Sequence, residues 1–242
     1  MFSNKYIFVY STILVVLAAA ILSIAAVALK PFQEKNIKIE KMQQLLACVG
    51  IESTPKNAES LYNKFFTQEV AVNAKGEIED DYSNGRLQGN KRPFDLVVKE
   101  QLDKAKSGDQ SAVMPVYICT KDGRKTYVVP VSGNGLWGGI WGNVALGEDL
   151  STIVGVNFDH KGETPGLGAE ITTKAFQQQF NGKTIFDNTT FKSVSVEKRA
   201  DKNDPHAVDA ISGGTITSQG VSSMLYDCLS FYIPYLNNNK TK

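Results

Sequence analysis

From Tyr6 to Leu29 the chain runs 24 residues without a charge, interrupted by markedly polar side chains only at Ser11, Thr12 and Ser23 besides two tyrosines. At about 1.5 Å per residue a helix of this stretch is about 36 Å long, against a hydrocarbon core of about 30 Å, so the pattern predicts one spanning helix. A cleaved secretory signal is the alternative, because Ala26-Val27-Ala28 has the A-x-A form of a cleavage site. The run is longer than the roughly 7 to 15 residues of a signal's apolar region. Only Lys5 precedes it, and the uncleaved anchor is the preferred reading.

Beyond the span, Ile39, Met42, Leu45, Leu46 and Val49 recur at helical spacing, which predicts a second, amphipathic helix from Pro31 to about Val49, ended by Gly50. Residues 57–72 and 95–106 also read as helices, the latter opened by Asp95 after Pro93 and closed near Gly108. The acidic stretch Glu79, Asp80, Asp81 reads as solvated surface.

The pattern then changes period. Val113–Thr120 and Lys125–Val131 are rich in β-branched and aromatic residues and meet at Asp122-Gly123, a strong hairpin signal. Ile140–Leu146 and Thr152–Phe158 repeat this around Gly147-Glu148-Asp149, so an antiparallel sheet is expected. Ala169–Phe180 reads as helix, Phe191–Val196 as strand, and Ser218–Tyr232 as a closing helix with Val221, Leu225, Cys228, Leu229 and Tyr232 on one side. Hairpins with helices between and after them give an α+β fold. The expected organisation is an anchor at 1–30, a helical membrane-proximal and connecting region at 31–110, an α+β domain at 111–236 and a polar tail at 237–242.

Charge narrows the function. Twenty-six Lys plus Arg against 25 Asp plus Glu leave a formal +1, without the basic excess that nucleic-acid binding requires. Cys48, Cys119 and Cys228 are far apart and form no C-x-x-C, and His160 and His206 are the only imidazoles, so neither a disulfide framework nor a metal site is expected. Asp201-Lys202-Asn203-Asp204 begins like a calcium loop, but Pro205 and His206 stand where an acceptor and the turn glycine belong.

Three segments carry candidate chemistry. Gly133-Asn134-Gly135-Leu136-Trp137-Gly138 satisfies G-x-G-x-x-G, yet its flanks are hairpins rather than strand–helix–strand units, so it reads as a glycine-rich bend with Trp137 and Trp141 in core or pocket wall. In His160 to Gly168, Pro165-Gly166 is a type II turn, and Thr164 and Leu167 could lie against a flat ligand. Asp209-Ala210-Ile211-Ser212-Gly213-Gly214-Thr215-Ile216-Thr217-Ser218 leads into the last helix. Thr217 or Ser218 as an ordinary N-cap is one reading; a phosphate received at Thr215 beside two glycines is the other.

In order and spacing, the N-terminal span, G-x-G-L-W, E-T-P-G-L-G and D-x-x-S-G-[AG]-T-x-T-S together resemble the covalent FMN-binding C subunit of the sodium-translocating NADH:quinone oxidoreductase, over nearly the whole chain and most clearly from Gly133 to Val221. The resemblance implies FMN joined through its phosphate to Thr215 by a separate flavin transferase acting on FAD. Ser212, Gly213 and Gly214 would shape the phosphate turn, and Asp209 would belong to the transferase signal. Glu163, Thr164 and Leu167 would lie against the isoalloxazine ring, with Trp137 in the same pocket. Gly214 stands where the family usually has alanine.

The resemblance further implies an electron-carrying subunit of a bacterial inner-membrane complex, with no side chain acting as general acid or base and sodium moved mainly by other subunits. It places the flavin domain on the periplasmic side. The lysine count points the other way, since Lys30, Lys35, Lys38 and Lys41 follow the span and only Lys5 precedes it. The alternatives are the G subunit of the related Rnf electron-transport complex, which shares the flavinylated threonine, and a membrane-anchored binding domain without flavin.

Overall fold

The computed structural model describes residues 3–240. Thr241 and Lys242 of the expected tail, and the first two residues of the expected anchor, lie outside the described residues. The chain divides into two units, one up to Met42 and one from Gln43 onward.

The first unit is helix. Among the described residues one helix is long and apolar enough to cross a membrane: α1, Asn4–Cys48, 45 residues, with a mean hydropathy of 2.8 over its most apolar 18-residue window. The separate helix expected from Pro31 does not exist, because Pro31 lies inside α1. An interior proline forfeits one backbone hydrogen bond and costs about 3 kcal/mol; the helix-forming sequence on both sides outweighs it.

In the second unit α1 ends as its sequence foretells. Gly50 has φ +71°, Ile51 N–H donates to Leu46 O at 2.9 Å and Gly50 N–H to Ala47 O at 3.0 Å. This is a Schellman end, and Ile51 and Leu46 are both buried as that motif requires. Next come α2 (Ala58–Phe65), β1 (Phe66–Asn73), β2 (Ile78–Ser83), β3 (Arg86–Gln88), α3 (Val98–Lys106), β4 (Val113–Lys121), β5 (Arg124–Asn134), β6 (Gly139–Leu146) and β7 (Ile153–His160). They form a seven-stranded sheet in the order β3-β2-β1-β4-β5-β6-β7, and every adjacent pair is antiparallel.

Four expectations fail in this region. Residues 57–72 are not one helix, since α2 stops at Phe65 and the chain continues as β1; and the connecting region to residue 110 is not merely helical, because it supplies three of the seven strands. Gln68-Glu69-Val70-Ala71-Val72 lacks a clean alternation because both faces of β1 are covered, burying Glu69 and Ala71 as well as Val70 and Val72. Glu69 accepts from Tyr62 Oη at 2.9 Å, Phe94 N–H at 3.2 Å and both arms of the Arg92 guanidinium, which stacks 4.0 Å from the Tyr82 ring centroid. Asp80 is likewise buried within β2, accepting from the Asn90 and Lys91 amides, rather than solvated. The helix expected from Asp95 begins at Val98, after a 3-10 turn at Pro93–Asp95.

The hairpins fall where expected, with Asp122 and Gly123 at φ +52° and +77° in the β4–β5 turn. After β7 the expected helix 169–180 resolves into a 3-10 turn at Gly168–Thr172, a single α turn, α4 (Lys174–Gln177), and a further 3-10 turn. Four short strands follow: β8 (Phe186–Asp187), β9 (Thr190–Phe191), β10 (Ser195–Glu197) and β11 (Ala207–Asp209). The strand expected at Phe191–Val196 is thus split, with Ser193 at φ +65° between its parts. The last helix, α5, spans Thr215–Asn239, longer than expected at both ends, and takes in the first part of the expected tail.

One face of the sheet packs against α5. Val221, Leu225, Cys228, Leu229 and Tyr232 of α5 are all fully buried, packed with Val129, Val131, Met114 and Ile140 of the sheet. The β4–β5 register runs from Lys121–Arg124 to Tyr117–Val128. Past its end, the Tyr232 hydroxyl lies 3.0 Å from Pro115 O and 3.4 Å from Pro130 O. A buried carbonyl without a partner is costly, so this contact ties the helix to both strands.

Candidate functional site

Three loops converge at the N-terminal end of α5. The first is the approach to the helix. From β11 the chain turns through Ile211–Gly214, with Gly214 N–H donating to Ile211 O at 3.0 Å and Gly213 at φ +74°, a conformation natural only to glycine. Ser218 accepts at Oγ from Ile211 N–H at 3.1 Å, stitching the turn to the first helical turn. Gly214 is the N-cap residue and no side chain caps the helix. Neither Thr217 nor Ser218 serves as the N-cap, since both lie inside the helix. The helix begins at Thr215 itself, and its first N–H groups have no intrahelical acceptor.

The second loop is 160–168. Leu167 N–H donates to Thr164 O at 3.1 Å across Pro165-Gly166, and Gly166 has φ +75°, which is the expected type II turn. The third is the tip of the β5–β6 hairpin, where Gly135 N–H donates to Gly138 O at 2.8 Å. The G-x-G-x-x-G string is therefore a hairpin bend and not a nucleotide-binding strand–helix turn.

Between them lies a cleft of about 360 Å³. Its walls include Trp137, Glu163, Thr164, Leu167, Gly213, Gly214 and Thr215, so seven of the nine residues singled out from sequence line one space. Ser212 and Asp209 do not line it. Ser212 is exposed on the turn, and the Asp209 carboxylate accepts from Ala200 N–H at 2.9 Å. Sequence reasoning gave no place in the site to Leu136, Gly168 and Ile216, and read Thr217 only as a helix cap; these four complete the lining. All four stand inside quoted motifs, but nothing in residue type distinguished them.

The rim is apolar and open, with Leu136, Leu167 and Ile216 each 42–54% exposed. Trp137 is 68% exposed, so it belongs to the wall and not to the core. Beneath the rim Glu163 is 4% exposed. Its Oε1 accepts from Trp137 N–H at 2.8 Å, its Oε2 from Thr217 Oγ1 at 2.6 Å, and its own N–H donates to His160 Nδ1 at 3.1 Å. The space is cut close: a Cβ at Gly135 would stand 2.6 Å from Glu163 Oε1, and one at Gly213 2.6 Å from Leu167 Cδ2.

A larger cleft of about 640 Å³ beside Cys48, Gly155 and Asn181 mixes side-chain amides such as Asn157 and Gln177 with apolar Ile51, Val154 and Val156, and its charged side chains are Glu52 and Lys174. Among the described residues no group of three His, Cys, Asp or Glu is placed to hold a metal.

A flat apolar opening over an uncapped helix start, with glycines clearing the approach, suits a phosphorylated planar ligand. Residues 135–230 match the FMN-binding domain family, so the unit is a flavin-binding domain of α+β type. The chain is 34% identical to the C subunit of Na(+)-translocating NADH-quinone reductase from Neisseria meningitidis, over 95% of this chain and 94% of that one. The crystal structure of the same subunit from Parabacteroides distasonis is 37% identical with a TM-score of 0.74, covering 86% of this chain and 96% of that one. That of Shewanella oneidensis NqrC is 25% identical with a TM-score of 0.67 and covers 86% and 100%. The chain belongs to the family of the Na(+)-translocating NADH-quinone reductase C subunits and is thereby one component of an oxidoreductase complex.

Proposed function

We propose that this chain is the electron-carrying subunit of a sodium-pumping NADH:quinone oxidoreductase, holding FMN as a phosphoester on Thr215. The observation that carries this reading is the position of Thr215: it is the exposed first residue of a 25-residue helix with no side-chain cap, at the edge of the apolar cleft. Helix N–H groups and the positive end of the helix dipole favour a phosphate there. In attachment, Thr215 Oγ forms the new P–O bond at the flavin-side phosphorus of FAD, the diphosphate bond breaks, AMP leaves, and a base on the transferase takes the hydroxyl proton.

Bound FMN supplies one- and two-electron exchange, which needs no acid–base residue from the protein. What the chain supplies is position. Gly213 and Gly214 would admit the phosphate without Cβ obstruction, Leu167, Leu136 and Trp137 would shield the ring from water, and Thr164 would stand at its edge. An ester holds the flavin where no free pool would refill an emptied site. That suits a domain on the periplasmic side of a bacterial inner membrane, anchored by α1 as a single-pass span. The other subunits of the complex, a maturing flavin transferase and lipid are the partners of this reading.

The test is denaturing electrophoresis of the chain coexpressed with a flavin transferase. Flavin fluorescence that migrates with the wild-type chain and is absent from Thr215→Ala supports the ester; fluorescence absent from both, or present in both, rejects it.

A further inference from the structure

Resemblance alone assigns Glu163 to the flavin ring, but both of its carboxylate oxygens are already engaged, one by Trp137 N–H at 2.8 Å and one by Thr217 Oγ1 at 2.6 Å. We propose that Glu163 is a positioning residue rather than a ring contact: a buried latch that joins the hairpin tip, the 160–168 loop and the first turn of α5 into one fixed cleft. This rests on the flavin reading above.

The latch has several supports. Its carboxylate sits at 4% exposure, where an unmade hydrogen bond costs far more than in water. Two glycines make room for it: a Cβ at Gly135 would stand 2.6 Å from Oε1, and one at Gly168 would collide with Oε2 and lie 2.5 Å from Thr217 Oγ1. His160 Nδ1 accepts from Glu163 N–H at 3.1 Å, which fixes the backbone from which the side chain projects. Thr217 is the third residue of α5, two beyond Thr215. A hydrogen bond to its hydroxyl therefore sets the helix start, and with it the Thr215 hydroxyl, relative to Trp137. Without the carboxylate, the two apolar walls could move independently, and a ring between them would be held less firmly.

The experiment uses the full chain, with and without flavin transferase, as wild type, Glu163→Ala, Glu163→Gln, Thr217→Val and Thr217→Ser. In flavin-free protein, amide exchange is read at Trp137 and across the first turn of α5. In loaded protein, the flavin mass on Thr215 and the flavin fluorescence anisotropy are read. Glu163→Ala is expected to speed exchange at Trp137 at least tenfold and to lower the anisotropy, with thermal stability followed in parallel. Thr217→Val should do the same more weakly. Thr217→Ser keeps the hydroxyl, and Glu163→Gln can keep both links by donating to Thr217, so both should stay within about threefold of wild type. Ordering by hydrogen-bonding capacity in this way is not what a general loss of packing would give, since Thr217→Val preserves volume. If all variants match a flavin-loaded wild type, or if Thr217→Ser behaves like Thr217→Val, the latch is overturned while the flavin reading stands. A wild type without flavin overturns both.

Discussion

Leu167 lies directly over Gly213: a Cβ on the glycine would come 2.6 Å from Leu167 Cδ2, and Gly213 has φ +74°. Two loops more than forty residues apart in sequence thus meet at the helix start, and a side chain at position 213 has no room while Leu167 stays in place.

Gly213→Ala should therefore lose stability from two sources, about 1–2 kcal/mol from the left-handed backbone and a further steric part from Leu167. Urea unfolding measures the sum. Adding Leu167→Ala is expected to recover the steric part only, leaving the backbone cost in place.

Arg92→Met should destabilise the sheet strongly, because Glu69 is 2% exposed and would lose both guanidinium donors. The cost expected is about 3 kcal/mol, the low end for breaking a buried pair, since Arg92 itself is partly solvated. Adding Glu69→Leu should recover only part of it, because the Tyr62 hydroxyl and Phe94 N–H then lack their acceptor. Chemical denaturation of the three proteins tests this.

Asp149 closes the β6–β7 turn, accepting from Ser151 N–H at 3.0 Å, Thr152 N–H at 2.9 Å and the Thr152 hydroxyl. Partial burial works to raise its pKa, but the Thr152 and Ser151 donors outweigh this and leave it below the usual 3.8. A carboxyl lowered by folding adds stability above its unfolded pKa and loses it as pH falls through the folded value. Asp149→Asn should thus be less stable than wild type near pH 7, by no more than about 1 kcal/mol for an exposed group. The gap should begin to narrow below about pH 3.8 and close once the pH falls past the lower folded value. Unfolding curves at both pH values check the sign.

The α+β class, both principal hairpins, the type II turn and most of the cleft lining were legible in the sequence. Asp122-Gly123 and Pro165-Gly166 specify their turns locally, and the site motifs are compact strings. What was hidden depends on partners distant in sequence. Glu69 and Asp80 look like surface acids until Arg92 and the Asn90 and Lys91 amides are brought to them. For the same reason β1 was concealed as a continuation of α2. Thr217 and Gly168 acquire meaning only through Glu163, and Pro31, a local helix breaker, was overridden by the helix on either side of it.

The three thiols are all buried. Burial pushes Cys119 and Cys228 up to about 11 and Cys48 higher still, despite backbone hydrogen bonds that partly oppose it at Cys48 and Cys228. At pH 8 the native chain should show almost no reaction with an aromatic disulfide reagent, and three equivalents should react on unfolding.

The most direct measurement is the mass of the peptide spanning Asp209 to Tyr226, fragmented residue by residue, from the full chain matured with a flavin transferase. An FMN-sized increment localised to Thr215 is the expected result. A peptide left unmodified by an active transferase, or an increment on Ser212, Thr217 or Ser218 instead, would contradict the assignment of Thr215 as the attachment residue.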